Sequence, residues 1–218
     1  MAERFDLIVF DWDGTLLDSA AAIVHAIQAS CRDLGLPEPS DERARYVIGL
    51  GLGDALRHAV PELKEADYPH MIARYRHHFL ARDHELQLFD GVMQLIPELV
   101  GRGRMLAVAT GKSRMGLNRA LAHTGLGVHF RATRCADECF SKPHPAMLEQ
   151  LMDELGADPE RTLMVGDTTH DLQMAKNAGV SGLAVSFGAH PLAALEAEHP
   201  LACVHTPRDM ARWLLERA

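Results

Sequence analysis

Asp11 and Asp13 stand two residues apart, immediately after the apolar run Leu7–Phe10, and Gly14 follows them. Two carboxylates around so tight a turn can share one site, where they suit a hard divalent cation and the transfer of protons. A second apolar run, 162–165, also ends in acid, at Gly166-Asp167, with Asp171 a helical turn further on. The run 105–109 ends in Thr110-Gly111-Lys112, a hydroxyl and a sterically open backbone N–H that can both donate to an anion. Lys142, in Ser141-Lys142-Pro143, adds a full positive charge where a helix is expected to start. Each feature also has an ordinary explanation. Asp-Gly is a common turn dipeptide, Thr-Gly is a polar turn, and a lysine is usually solvated. Thr168 to Asp171 spells a capping box, so the helix dipole alone accounts for an acid at Asp171. Asp167 is expected to bind metal, and Asp171 is an auxiliary metal residue or a cap.

Lys142 apart, these residues follow the C-terminal end of a short apolar segment. In open α/β sheets, ligands occupy the crevice beyond those strand ends. Strands are expected at 7–10, 105–109, 129–133, 162–165 and 182–185, and helices at 92–100, 115–123, 143–155, 171–178 and 207–217. Such alternation implies a doubly wound, mostly parallel sheet. Residues 19–87 break it. A capping-box pattern at 15–18 leads into Ala22, Ile23, Ala26 and Ile27 at helical spacing, and 41–48, 54–60 and 65–82 read as further helices. The chain is therefore expected to divide into an α/β core, 1–18 with 88–218, and a smaller inserted helical cap, 19–87. Gly49-Leu50-Gly51-Leu52-Gly53 lies in that insert and is no dinucleotide fingerprint, because no strand precedes it. It is a loop closing over substrate or a plain connector. Arg43, Arg45, Arg57 and His58 nearby either meet a substrate carboxylate or second phosphate or are solvated, and His170 is a base or, as expected in the absence of a partner, an exposed loop histidine.

The 218 residues are 47% hydrophobic and 24% charged, the balance of a globular protein with a sizeable core. A net charge of -8 argues against nucleic acid as a partner, since that needs a basic face. A small anionic substrate needs only local cations. No basic segment precedes the first apolar stretch and no run reaches membrane-spanning length, so a cytoplasmic protein, monomer or homodimer, is expected. Cys31, Cys135, Cys139 and Cys203 form no disulfide framework and no zinc-finger spacing, and free thiols are expected.

The string Asp11-Trp12-Asp13-Gly14-Thr15-Leu16 resembles the first motif of the haloacid dehalogenase superfamily in the form carried by its phosphatases. Thr110-Gly111-Lys112, Lys142-Pro143 and Gly166-Asp167 with Asp171 follow in the order of the remaining motifs. The longer strings GDTTHDLQMAKNAGV and SKPHPAML look most like the phosphoglycolate phosphatase branch, and helices inserted after the first motif resemble the subfamily with a helical cap. The resemblance implies Mg²⁺ as cofactor and Asp11 as a nucleophile that becomes an aspartyl-phosphate. It implies Asp13 as acid and base, with its backbone carbonyl on the metal beside Asp11, Asp167 and Asp171. Thr110 and the Gly111 N–H would hold phosphoryl oxygens, Gly14 and Lys112 would line the substrate site, and Lys142 would neutralise charge. An acid at position 13 sets the chain apart from the dehalogenases and phosphonatases. The implied activity is hydrolysis of a small-metabolite phosphomonoester, with 2-phosphoglycolate first. A phosphosugar mutase of the β-phosphoglucomutase type and a non-catalytic regulatory scaffold are the alternatives.

Overall fold

A computed structural model describes residues 5–217. In chain order the elements begin β1 (Leu7–Phe10), α1 (Ala20–Asp33), α2 (Asp41–Tyr46), α3 (Leu52–Ala59), α4 (Tyr68–Arg82) and α5 (Val92–Gly101). They continue β2 (Met105–Thr110), α6 (Arg114–Thr124), β3 (Ala132–Cys135), α7 (Ala146–Leu155), β4 (Thr162–Gly166) and α8 (Thr169–Asn177). The chain closes with β5 (Ser181–Val185), α9 (Leu192–Ala197), β6 (Ala202–Val204) and α10 (Pro207–Arg217).

The strands form one parallel sheet in the order β3-β2-β1-β4-β5-β6. All four residues of β1 are buried, as a parallel sheet covered on both faces requires. Ile8 and Phe10 pack with Leu95, Leu99, Leu117, Met210 and Leu214 on one face. Leu7 and Val9 pack with Met147, Leu151 and Met174 on the other. Because β2 leaves on one side of β1 and β4 on the other, strand order reverses at β1. A crevice opens at such a switch point.

Helices α1–α4 intervene between β1 and β2 and gather a separate apolar cluster that includes Ile23, Ile27, Ala44, Val47, Leu56, Met71 and Phe79. No strand forms between residues 19 and 87. Local expectations fail at several boundaries. Helix α1 starts at Ala20 with Ser19 before it, because residues 14–17 stay in a turn closed by the Gly14 N–H donating to the Leu17 carbonyl, 2.8 Å. Pro143 does not open a helix, since α7 begins at Ala146. Strand β3 begins at Ala132 rather than 129, because residues 126–129 form a 3-10 turn. The short α9 and β6 escape sequence patterning altogether. Among the described residues, no helix is long and apolar enough to cross a membrane.

Candidate active site

Strand β1 ends at the switch point and carries Asp11 directly into the crevice, where its backbone N–H donates to the Val165 carbonyl, 2.9 Å. The chain then turns through Gly14 at φ +88°, a conformation that glycine adopts without cost. Glycine is needed there twice over, since a Cβ would overlap the Asp167 carboxylate. The turn leaves Asp13 nearly buried. Its Oδ1 accepts from Ser19 Oγ at 2.6 Å and lies 3.0 Å from Lys112 Nζ.

Lys142, fully buried, places Nζ 2.5 Å from Asp11 Oδ1 and 2.6 Å from Asp171 Oδ1. Asp171 is itself fixed by the capping box that its spacing from Thr168 foretells. Its Oδ2 accepts from the Thr168 backbone N–H and hydroxyl, at 3.1 and 2.7 Å. Asp167, at the end of β4, accepts from the Thr15 hydroxyl at 2.8 Å and from the Ala189 N–H at 2.7 Å. Thr110 is buried at the end of β2, and its hydroxyl oxygen accepts from the Lys112 N–H, 3.2 Å. The structure thus gathers Asp11, Asp13, Gly14, Thr110, Gly111, Lys112, Asp167 and Asp171 from the strand ends with Lys142 from the segment before α7.

Asp11, Asp167 and Asp171 present carboxylate oxygens within 4.8 Å of one another, all buried. Against these three negative charges stands one buried cation, Lys142. Burial, reinforced by Asp171 and Asp167 and opposed by Lys142, holds the Asp11 carboxyl well above the usual range. Burial and Asp171 push Asp167 up to about 7, although the Ala189 N–H and the Thr15 hydroxyl pull it down. Burial works against the Lys142 charge too, yet Asp11 and Asp171 keep it protonated above the ordinary lysine value. Asp11 Oδ2 is buried with no hydrogen-bond partner among the described residues. A hard oxygen donor set, three crowded acids against one lysine and an orphaned carboxylate oxygen fit a divalent, oxygen-seeking cation such as Mg²⁺.

The helical insert roofs this centre. A Cβ on Gly111 would overlap the carbonyl oxygens of Gly49 and Leu50, so Gly111 lets the loop between α2 and α3 lie directly on the end of β2. The Gly51 N–H donates to Ser141 Oγ, 2.8 Å. Leu52 and Gly53, expected in the loop, open α3 instead. Between roof and floor lies a cavity of about 450 Å³ reached by Asp13, Gly111 and Lys112 from below and by α1, α3 and α4 from above.

His170 is not the exposed loop histidine expected. It is 5% exposed, with Nε2 2.7 Å from the Tyr46 carbonyl, because it lies in the first turn of α8, covered by the end of α2. His190, unremarked in the sequence, brings its Nε2 to 3.0 Å from that same carbonyl, while its Nδ1 accepts from the Thr169 N–H at 3.1 Å. Arg43 donates to the His58 carbonyl, 3.0 Å, and neither it nor Arg45 lines the cavity. Arg57 lines it but pairs with Asp54. Missed from sequence were Tyr75 and Phe79, whose spacing on α4 reads as ordinary core, and Arg76 and Arg119.

A family model described as haloacid dehalogenase-like hydrolase matches residues 8–185. A probable phosphatase, IndB, of Dickeya dadantii is 39% identical over 206 residues, spanning 92% of this chain and 89% of that protein. A 5'-nucleotidase of Pseudomonas aeruginosa is 32% identical, spanning 96% and 94%. A phosphoglycolate phosphatase of Agrobacterium fabrum is 30% identical, spanning 88% and 85%.

Proposed function

Because the chain belongs to the haloacid dehalogenase-like hydrolase family and is a phosphatase, we propose that it cleaves small-metabolite phosphomonoesters through an aspartyl-phosphate on Asp11, with Mg²⁺. The observation that carries the reading is the fully buried Lys142 ammonium bridging Asp11 and Asp171 within a cluster of three acids. A carboxylate is a poor partner for a phosphate dianion. At about 4 Å and an effective dielectric near 20, each pair of unit charges repels by about 4 kcal/mol, and a dianion doubles that. Mg²⁺ held by Asp11, Asp167, Asp171 and the Asp13 backbone carbonyl would supply the charge neutralisation that lets the two anions meet.

The protein's own groups do the rest. Lys142 neutralises and orients the Asp11 carboxylate, which attacks phosphorus in line. As the Asp11–phosphorus bond forms, the bond to the ester oxygen breaks, and Asp13 delivers a proton to the departing alkoxide. Asp13 then takes a proton from water as that water attacks phosphorus, which releases phosphate and restores the Asp11 carboxylate. The Ser19 hydroxyl and Lys112 hold Asp13 in the geometry both steps need. Thr110 and the Gly111 N–H hold phosphoryl oxygens. Helices α1–α4 act as the cap, shutting out bulk water and meeting the leaving group. On resemblance alone 2-phosphoglycolate heads the candidate substrates, and the Agrobacterium relative supports it. Phosphate release from a panel of phosphorylated metabolites, with Mg²⁺ and with chelator, tests the reading. Turnover that needs Mg²⁺ supports it, and no release from any ester with the metal present overturns it.

A further inference from the structure

The cavity above Asp13 is built for more than glycolate. About 450 Å³ lies within the range of clefts that enclose ligands of tens of atoms, whereas glycolate brings two carbons and a carboxylate. The walls are wrong for a small acid as well. Ile23, Ile27, Val47 and Ile48 are buried there, and Ile72, Tyr75 and Phe79 complete an apolar lining. A carboxylate against those buried side chains would lose water, and Arg76, the lining cation with no ion pair among the described residues, is exposed rather than buried with them. Lys112 is committed to Asp13, while Arg57 pairs with Asp54 and Arg119 with Asp83. The ring faces are also arranged. Tyr75 and Phe79 stack at 5.9 Å with planes 14° apart, and Lys112 Nζ sits 4.8 Å over the Phe79 ring. That single ammonium therefore links the acid–base carboxylate to the aromatic wall. Among the exposed lining residues, Met115 at 63% and Leu80 at 43% add apolar surface that such a ligand would cover, beside the charged Arg57, Arg76 and Arg119.

We infer that the physiological leaving group is a flat, ring-bearing alcohol, the phosphate seated at Asp11 and the ring enclosed by Tyr75, Phe79 and the isoleucines. This rests on the phosphatase reading and refines it by replacing a small hydroxy acid with an aromatic or heteroaromatic alcohol. Two esters with alkoxides of similar reactivity isolate the ring: ethyl phosphate and 2-phenylethyl phosphate. Burial of a phenyl ring predicts kcat/KM at least about thirtyfold higher for the second. The cavity also has a place that can be filled. A Cβ on Gly53, a lining residue, meets nothing within 4 Å. Gly53→Phe should occupy the space and bring the ratio of the two esters to within about threefold of unity.

The whole chain with Mg²⁺ is assayed on both esters and on 2-phosphoglycolate. A high ratio in the wild type that collapses in Gly53→Phe supports the inference. A ratio near one, a ratio that Gly53→Phe leaves unchanged, or a preference for 2-phosphoglycolate overturns it while leaving the phosphatase intact. No release from any of the three esters would overturn the phosphatase reading itself.

Discussion

At the scale of the residue, the site is an excess of buried negative charge that one lysine does not balance. Exchanging an Asp11 oxygen for an amide keeps shape and the acceptor facing Lys142 but removes the attacking group. Asp11→Asn should therefore lower kcat by at least about a thousandfold, while the metal-free protein melts within about 5 °C of wild type. Phosphate release and thermal melts measure the two, and a variant retaining wild-type turnover would remove Asp11 as nucleophile. On the proposed Mg²⁺ role, the same crowding of acids predicts how metal binding depends on pH. Asp167 is raised from an ordinary 3.8 to about 7, so in the metal-free fold it holds a proton that the unfolded chain has already lost. Its contribution to stability is full below the unfolded value and is lost as pH rises toward 7. A cation competes with that proton and binds best when it is gone. The rise in Tm on adding Mg²⁺ should grow from pH 5 to pH 8, and Asp167→Asn should flatten the trend. An Mg²⁺-induced shift as large at pH 5 as at pH 8 would contradict the assignment.

At the scale of the element, three neighbouring strands, β1, β2 and β4, deliver chemistry because each ends where the sheet reverses. That part was legible in the sequence. An apolar run stopping at Asp11, Thr110 or Gly166-Asp167 is a local pattern, and the Thr168–Asp171 capping box is local too. What is set by distant partners could not be read. His170 looks like a loop residue until α2, 124 positions away, covers it, and His190 meets the same Tyr46 carbonyl across 144 positions. Tyr75 and Phe79, a helical turn apart, are indistinguishable in sequence from core. Gly111 joins the two kinds, since its place after β2 is legible but the loop resting on it is not. Gly111→Ala would push the backbone of residues 49–50 off the strand end. Misplacement on that scale predicts about a hundredfold loss in kcat/KM, with the overpacking costing about 1–3 kcal/mol of stability. Kinetics and a melt on the same preparation separate the two effects. Unchanged kcat/KM would mean that contact between this loop and β2 is unimportant to turnover.

At the scale of the whole molecule, helices α1–α4 hang from the core by two adjacent connections. The Asp18 N–H donates to the Gln87 carbonyl at 2.9 Å and the Phe89 N–H to the Leu16 carbonyl at 3.0 Å, so the connections run side by side like a hinge. Much of what holds insert to core is polar: Gly51 to Ser141, the Tyr46 carbonyl to two histidines, and Lys112 over Phe79. Helices α1–α4 share an apolar cluster whose buried members, among the described residues, include only Ala189 from beyond residue 87, so on the proposed cap reading they are expected to move as a unit when those polar contacts open. Substrate charge at Asp11 would draw Lys112 and the Gly111 N–H toward phosphoryl oxygens, and both groups touch the insert. Loading Mg²⁺ and beryllium fluoride, a mimic of phosphate on Asp11, should therefore slow amide hydrogen exchange in segments 47–53 and 72–80 as well as beside Asp11. The added protection should vanish in Asp11→Asn, which cannot carry the mimic. If it stays confined to the strand ends while turnover is normal, helices α1–α4 do not close during the phosphoryl step, and the leaving group departs into an open cleft.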